Sequence, residues 1–235
     1  MWDHTGRRYL DFSSQRVTLN IGHQHPSIVQ ARIEQVGSLA TVAPSTVNLA
    51  RGEAKKRIVD RAPAQVNEVF FTNGGAIENA MRMARMHTGR DKVPSAYLSH
   101  HFNTGAAVVA TGDWRRIPNE FAPAHVHFIG PFLYRSEFWA TTPEQDGEGA
   151  FRHFERMIQS EGPPSIAAVL LESVPGTAGI LIPSSGYLAG VQALFDRYGV
   201  LLILDEAMEG TRWRWRRSLQ RSMRWRTRAS SGTRR

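Results

Sequence analysis

Cysteine is absent from the 235 residues of this chain, which excludes a disulfide framework and any thiolate metal site. Long apolar runs are lacking as well, since none approaches the length that spans a bilayer. The first residues do not show the charged and then apolar pattern of a signal peptide. These absences predict a cytoplasmic protein in a reducing compartment, without a membrane segment.

Acidic residues are missing from the last 25 positions, where ten Arg and three Trp occur. The formal net charge of +8 is therefore a property of this tail. Residues 1–210 hold 19 basic and 21 acidic side chains, so the body of the chain is slightly acidic. The hydrophobic fraction of 41% is enough for a packed core.

Strand patterns alternate with helical patterns after a predicted hairpin, which turns near Thr5-Gly6, and a helix that starts at Pro26. We expect strands at residues 66–71, 92–98, 126–129, 166–171 and 199–206. We expect helices at residues 48–61, 77–86, 106–110, 149–159 and 187–197, and an irregular surface excursion at residues 118–147. This alternation predicts right-handed βαβ units, and hence an α/β fold with a mostly parallel sheet and flanking helices.

A carboxylate closes the last predicted strand, because Asp205 and Glu206 follow five apolar residues. Open α/β sheets bind ligands outside the carboxyl ends of their strands. Asp205 is compatible there with a metal ligand beside a nucleotide phosphate, as in a P-loop ATPase, with the acidic partner of a pyridoxal phosphate ring, or with a solvated strand end. The ATPase alternative needs a Gly-rich loop that ends in Lys-Ser/Thr, and no lysine of this chain follows such a loop.

The turn of Gly74, Gly75 and Ala76 lies between a predicted strand and a predicted helix start. Small residues there let backbone N–H groups approach an anion, and the positive end of the helix dipole attracts it. A Gly-Gly turn is also often only a tight connection. The turn alone therefore leaves both interpretations open.

Histidines and a second acid stand near other strand ends. His100 and His101 follow the strand predicted at residues 92–98, and Glu172 closes the strand predicted at residues 166–171. An imidazole can stack on a flat ring, but a lone pair of histidines is more often a surface feature. His23 and His25 look like a metal pair, yet no third ligand lies nearby in the sequence, so we predict no metal site.

Several ordered segments together resemble the class III, or omega-amino acid, aminotransferases. Residues 70–90 resemble the family's phosphate-binding turn and the helix after it, and residues 8–14 and 22–26 resemble its opening region. Residues 167–188 and 198–206 resemble further segments of the same family. The resemblance runs almost continuously from Trp2 to Gly210. It implies a partial large domain of the fold-type I transferases that depend on pyridoxal phosphate.

The resemblance implies roles around the cofactor ring. Asp205 would pair with the pyridine nitrogen and keep the ring protonated, so that the ring can accept electrons from the substrate. His100 stands where the family usually has an aromatic residue stacked on the ring, and His101 keeps the histidine that follows it. Glu172 matches the family's glutamate near the cofactor. Phe102 replaces a usual glycine, which implies an altered ring pocket.

The resemblance also implies a phosphate-binding turn in this chain and the lack of the lysine that forms the Schiff base. The turn of Gly74, Gly75 and Ala76 would bind the cofactor phosphate through backbone N–H groups. The family's Schiff-base lysine lies several strands beyond the Asp-Glu motif. This chain has no lysine there, so no catalytic residue is assigned and transamination should be close to abolished. The lysines that it does have are Lys55, Lys56 and Lys92.

The expected domains are a hairpin and helix at residues 1–45, a partial cofactor-binding domain at 46–210, and the tail at 211–235. The implied enzyme transfers an amino group from an amine or omega-amino acid to a keto acid, as a homodimer, and this chain is a fragment of it. The tail admits two interpretations: a nucleic-acid or membrane contact through Arg and Trp, or an out-of-frame reading of a GC-rich gene. The abrupt loss of family pattern at Thr211 favours the second, so nucleic-acid binding is not expected.

Overall fold

The computed structural model of the chain describes residues 1–62, 66–119 and 125–208. Two compact units make up the chain, Met1–Arg57 and the part that begins at Ile58. The sequence places its first boundary after residue 45, and that boundary stays a prediction. The Arg- and Trp-rich tail, with both of its interpretations, lies outside the described residues.

The chain opens with the predicted hairpin. Trp2 and Arg8 form an antiparallel bridge, and the carboxylate of Asp3 accepts a hydrogen bond from the backbone N–H of Thr5 at 2.9 Å. The hairpin is therefore confirmed. Three helices follow: α1 (Ser14–Val17), α2 (Pro26–Ser38) and α3 (Leu49–Val59). The predicted start of α2 at Pro26 is confirmed too. Proline is suited to this place because the first helical position needs no backbone hydrogen-bond donor.

The histidines of the N-terminal loop have a local role. His23 Nε2 lies 3.0 Å from Asp11 Oδ2, and the backbone N–H groups of Ser13 and Gln15 also donate to Asp11. The contact with His23, more than the others, lowers the pKa of Asp11 from 3.8 to about 2, against desolvation. No group of three or more side chains that could hold a metal ion occurs in residues 1–62, 66–119 and 125–208.

Replacement of His23 by Ala is expected to raise the pKa of Asp11 from about 2 toward 3.8, because the largest lowering contact is lost. An NMR titration of the Asp11 carboxyl carbon measures this shift. His25→Ala removes a histidine from the same loop and should leave the midpoint unchanged. A midpoint that stays near 2 in His23→Ala would show that the backbone donors, rather than the imidazole, lower the pKa.

A parallel sheet with helices on both faces forms the part of the chain after Ile58. Its strands are β1 (Ser95–Ala96), β2 (His127–Phe128), β3 (Ala168–Glu172) and β4 (Leu201–Asp205), in the spatial order β2-β1-β3-β4. Its helices are α4 (Ala76–Thr88), α5 (Gly105–Ala110), α6 (Pro143–Glu161) and α7 (Tyr187–Tyr198), with 3₁₀ turns at Trp114–Asn119 and Pro163–Ser165. The predicted α/β class is confirmed.

The core has one layer on each face of the sheet. Val169 and Leu171 of β3 pack with α6 and α7, whereas Ala168 and Leu170 pack with α4 and α5. Successive residues of a strand point to opposite faces, so a central strand with apolar residues throughout is buried on both sides. Within the part of the chain that the structure describes, no helix is long and apolar enough to cross a membrane.

The prediction of a strand at residues 66–71 is wrong. The structure forms no strand there, and the side chains of Phe70 and Phe71 remain exposed. A β-prone run becomes a strand only where its side chains and backbone find neighbours. The strand predicted at residues 92–98 is shortened to β1, because Pro94 has no N–H to donate and Leu98 adopts a positive φ of 65°.

The predicted surface excursion at residues 118–147 is wrong at its end. Helix α6 begins at Pro143, ahead of the predicted start at residue 149, and Asp146 and Gly147 are buried. The Thr142 side chain caps this helix by accepting a hydrogen bond from the backbone N–H of Gln145 at 3.3 Å. A threonine before a proline is a helix-start signal in the sequence, and it could have placed this boundary correctly.

Candidate functional site

Two carboxylates lie side by side at the carboxyl edge of the sheet. Glu172 ends β3, Asp205 ends β4, and the two residues are register partners. Because side chains alternate along a strand, both point to the same face as Leu170 and Ile203, which is the face covered by α4 and α5. This edge and face define the candidate site.

Asp205 is held by a histidine from another part of the chain. Its Oδ2 lies 2.9 Å from Nδ1 of His101, and its Oδ1 accepts a hydrogen bond from the backbone N–H of Ala207 at 3.3 Å. His101 is fully buried, and its own backbone N–H donates to the hydroxyl of Thr111 at 3.0 Å. The carboxylate is therefore fixed in one orientation before any ligand arrives.

His101 and its neighbour His100 each have a ring nitrogen without a hydrogen-bond partner among the described residues. His100 Nδ1 and His101 Nε2 are buried, and neither makes a hydrogen bond within the described part of the chain. Leaving such an atom unpaired costs about 1–3 kcal/mol. Buried polar atoms of this kind are completed by an ordered water or by a polar ligand.

Glu172 holds the loop that carries the histidines. Its Oε1 accepts a hydrogen bond from the backbone N–H of His100 at 2.6 Å, and its Oε2 accepts one from Gly176 at 2.8 Å. Burial raises the pKa of Glu172; these two hydrogen bonds oppose the rise, and the charge of Asp205 adds to it. The glutamate thus positions the loop and occupies both of its own oxygens in doing so.

The glycine turn opens helix α4. Gly74 and Gly75 both have positive φ, and Gly75 caps the helix in the left-handed conformation with φ 66° and ψ 27°. The Gly75 carbonyl accepts hydrogen bonds from the backbone and the side chain of Asn79 at 3.0 and 2.9 Å. The first N–H groups of a helix, here from Ala76 onward, have no partner within the helix. A helix start of this kind can receive an anion, and the phosphate role of this turn stays a prediction.

The direction of α4 places this turn toward the carboxyl edge of the sheet. The far end of the helix leads to Arg90, whose guanidinium donates to the carbonyls of Ile166 and Gly199 at 3.1 and 2.9 Å. These carbonyls lie just before β3 and β4, at the amino edge. The helix start consequently lies toward the opposite edge, where Asp205 lies.

Glu78, on the first turn of α4, is a positioning residue to which the sequence assigned no role. Its carboxylate accepts hydrogen bonds from the backbone N–H groups of Ala106 and Ala107, at 2.8 and 3.1 Å, and from the Thr104 hydroxyl at 3.0 Å. Desolvation raises the pKa of Glu78, but these hydrogen bonds outweigh it and the pKa is lowered. The residue fastens the start of α4 to the start of α5, and no local pattern reveals a contact of this kind.

Lys92, the lysine of the second unit, is engaged at the amino edge of the sheet, away from the candidate site. Lys92 Nζ lies 2.7 Å from Glu161 Oε2, and Lys92 forms a bridge with Ile166, ahead of β3. From Ile166 to Glu172 a strand advances roughly 20 Å, at about 3.3 Å per residue. Lys92 is therefore far from Asp205. Lys55 and Lys56 belong to the first unit.

A cavity of about 590 Å³ opens on the other face of the sheet at the same edge. Its wall is mostly apolar and includes Leu98, Phe132, Leu171 and Tyr187. Glu172 contributes to its lining, so the cavity borders the candidate site. Its volume lies in the range of small-molecule pockets.

The structure brings His100, His101, Glu172 and Asp205 together through direct contacts. The predicted phosphate turn stands at the start of α4, which Glu78 links to α5. Phe102 has a positive φ of 71° at a position where the family that the sequence resembles usually has glycine. The backbone thus keeps a conformation that glycine adopts more readily. The roles assigned to these residues toward a cofactor stay predictions.

Sequence comparison shows that the chain is similar to the aminotransferases of class III. The family described as aminotransferase class-III matches residues 1–212. Acetylornithine aminotransferase of Methanopyrus kandleri is 32% identical over 214 residues, which cover 89% of this chain and 49% of that protein. Alanine–glyoxylate aminotransferase 2 homolog 2, a mitochondrial protein of Arabidopsis thaliana, is 30% identical over 212 residues, which cover 89% and 43%.

Solved structures agree with these relatives. Taurine:2-oxoglutarate aminotransferase from Bifidobacterium kashiwanohense, in complex with PLP and glutamate, has a TM-score of 0.83 and 42% identity, and the match covers 88% of this chain and 48% of that one. An (S)-enantioselective omega-transaminase from Thermomicrobium roseum has a TM-score of 0.80 and 29% identity, with coverage of 88% and 49%. The chain spans about half the length of the proteins that it matches.

Proposed function

The chain belongs to the class III aminotransferases, and on that premise we propose that it supplies the cofactor-binding half of such an enzyme. In this proposal the chain holds pyridoxal phosphate by non-covalent contacts and does not transfer amino groups by itself. The observation that carries it is the buried contact of Asp205 with His101 at the carboxyl edge of the sheet.

The ring side of the site supports the proposal. Pyridoxal phosphate, when bound, supplies a ring that accepts electrons from the substrate. Asp205 would hold the proton on the ring nitrogen, while His101 keeps the carboxylate oriented through Oδ2. The unpaired buried nitrogens of His100 and His101 fit a polar, flat ligand beside them. Burial strengthens such a charge pair, because a partly dry site screens it less than water does.

The phosphate side is supported by the start of α4. Gly74, Gly75 and Ala76 would present backbone N–H groups to the phosphate, and the helix dipole would favour its negative charge. Glu78 does not compete for these groups, because its carboxylate is occupied by the N–H groups of Ala106 and Ala107. The residues present therefore fit both ends of the cofactor.

The chain does not provide a lysine at the place where the family attaches the cofactor covalently. Its three lysines all precede Asp205, and Lys92 is engaged by Glu161 at the amino edge of the sheet. The lysine of this family both anchors the cofactor and moves the substrate proton. Without it, this chain has no amine in place to carry out either task.

The proposal extends to the whole enzyme by family membership. It would use an amine or amino acid as donor and a keto acid as acceptor, as the names of the acetylornithine and taurine relatives indicate for those proteins. A cytoplasmic location and a family homodimer belong to the same proposal. This chain covers about half the length of the proteins that it matches. The homodimer is therefore proposed for the full-length enzyme and not for this chain.

Equilibrium binding of pyridoxal phosphate to the full chain tests the proposal. Asp205→Asn removes the charge that pairs with the ring nitrogen, and a hydrogen bond to a charged group contributes about 1.5–3 kcal/mol, so affinity should fall roughly tenfold or more. Asp196→Asn, at an exposed carboxylate of α7, is the matched control and should bind like the wild type. Equal affinities of the wild type and the Asp205→Asn variant would reject Asp205 as the ring partner.

Borohydride reduction followed by peptide mapping tests the missing anchor. We expect at most scattered modification of Lys55, Lys56 and Lys92, unaffected by the Asp205→Asn change. A single stoichiometric lysine adduct in the wild type that disappears in Asp205→Asn would contradict the proposal, because it would reveal a working anchor.

A further inference from the structure

Asn73 and Gly74 form the single Asn-Gly pair of this chain, and they stand directly before helix α4. Asparagine is among the thermolabile residue types of proteins. It is most reactive before glycine, because a residue without a Cβ lets its backbone nitrogen approach the preceding side-chain amide. Whether such a pair reacts in a folded protein depends on how the surrounding structure holds it.

The folded chain leaves both reacting groups free. Asn73 and Gly74 are exposed and lie in a bend, outside any helix or strand. Neither the side-chain amide of Asn73 nor the backbone N–H of Gly74 makes a hydrogen bond to another residue that the structure describes. Apart from the two chain neighbours, no described heavy atom lies within 4 Å of the position that a Cβ on Gly74 would occupy. The turn consequently has room for ring closure between the two residues.

Comparable groups elsewhere in the chain are protected by secondary structure. The side-chain nitrogen of Asn79 donates to the Gly75 carbonyl at 2.9 Å, and the N–H that follows Asn79 belongs to Ala80, inside α4. Asp146-Gly147, an Asp-Gly pair that closes the same kind of ring, is buried in α6. A backbone N–H that is bonded within a helix keeps its proton and its place in the helix.

We propose that Asn73 deamidates spontaneously in the folded chain. The backbone nitrogen of Gly74 loses its proton and attacks Cγ of Asn73, so that a new C–N bond closes a succinimide ring. The Cγ–Nδ2 bond breaks, and ammonia leaves with the proton. Water then opens the ring at one of its two carbonyl carbons, which yields aspartate or isoaspartate. No oxidant or reductant takes part, and the net change replaces the amide NH₂ by OH.

The product places a new negative charge at the start of α4. The first N–H groups of this helix, from Ala76 onward, have no partner within the helix, and a carboxylate beside them accepts their hydrogen bonds. The consequence for the cofactor rests on the proposed function: the new carboxylate competes for the groups that would bind the phosphate and repels its charge. Deamidation therefore weakens the binding of pyridoxal phosphate as the chain ages.

Incubation of the full chain at mildly alkaline pH, followed by peptide mapping with mass spectrometry, tests the modification. The same incubation in urea reports the rate of the unfolded chain. Asn73 should react in native buffer within about tenfold of its rate in urea and at least tenfold faster than Asn79. Asn73→Gln, which would need a larger ring, should stay unmodified at this position. The proposal is overturned if folding slows Asn73 by much more than tenfold, or if Asn73 reacts no faster than Asn79.

Equilibrium binding of pyridoxal phosphate to fresh and aged samples tests the consequence. The converted fraction of the wild type should bind at least tenfold more weakly than the fresh chain, and Asn73→Asp should bind weakly from the start. Asn73→Gln should bind equally well before and after ageing. Unchanged affinity of a converted wild type would overturn the effect on the turn. A fresh wild type that does not bind would reject the proposed function instead, and the mass spectrum would still decide the deamidation.

Discussion

Phe154→Ala is expected to lower the free energy of unfolding by about 3–5 kcal/mol, the cost of removing a large side chain from a packed core. Phe154 is fully buried on α6. Its ring centroid lies 4.3 Å from that of Phe128 on β2 and 5.2 Å from that of Phe195 on α7. The three rings join the sheet to both helices of this face, so the truncation opens a cavity at the place where three elements meet.

Urea unfolding followed by circular dichroism measures this loss. Phe151→Ala is the matched control, because Phe151 lies on the same helix but is only partly buried at the margin of the core. We expect the free energy of unfolding of Phe151→Ala to fall by less than half as much as that of Phe154→Ala. Equal losses in the two variants would show that the ring cluster is not the centre of this core. Since domains are stable by about 5–15 kcal/mol in total, the Phe154 variant should be close to unfolding.

A drop from pH 7 to pH 5 is expected to cost about 2 kcal/mol of stability through His125 alone. Burial first, and then the positive charge of neighbouring His127, lower the pKa of His125 from 6.5 to about 3. Arg85, His101 and Arg116 add to the same repulsion. The folded protein therefore keeps this imidazole neutral at pH values where the unfolded chain binds a proton.

The sign of the effect follows from proton binding. The stability that the neutral His125 contributes is fully present above pH 6.5 and is lost progressively as the pH falls toward 3. Each pH unit below 6.5 costs about 1.4 kcal/mol, which yields about 2 kcal/mol at pH 5. The Ser95 hydroxyl donates to the carbonyl of Ala110 at 2.6 Å, so at 2.8 Å it accepts from His125 Nε2–H, a hydrogen bond that the ring makes in either protonation state.

Urea unfolding at pH 7 and pH 5 checks this expectation. His125→Gln keeps a donor for Ser95 but does not titrate, so its loss between the two pH values should be smaller than that of the wild type by about 2 kcal/mol. His4→Gln, at an exposed histidine of the hairpin, should behave like the wild type. A His125→Gln variant with the full wild-type loss would place the acid sensitivity elsewhere.

Local patterns were sufficient for most of the secondary structure. The apolar runs that became β3 and β4 and the helical stripes that became α4 and α7 were predicted close to their observed bounds. The two failures have different causes. Residues 66–71 have strand-like composition but form no strand, because such a run needs neighbours to pair with. The early start of α6 follows from the Thr142 cap, which is a local signal in the sequence.

The contacts that make the candidate site were beyond local patterns. His101 and Asp205 are 104 positions apart, and Glu78 reaches Ala106 across 28 positions. No period of 2 or 3.6 residues encodes which side chains meet after the strands align. Resemblance to a family supplied the residues as candidates, whereas the hydrogen bonds among them came only from the folded chain.

The sequence by itself determined most of the elements, the carboxylates at the strand ends and the lack of any lysine after Asp205 in this chain, because each of these is a property of residue type and spacing along the chain. Tertiary structure decided that Glu172 and Asp205 share one face of the sheet and that Lys92 lies at the opposite edge. These are relations between segments distant in sequence. They depend on strand order and register, which the packing of both helical layers establishes together.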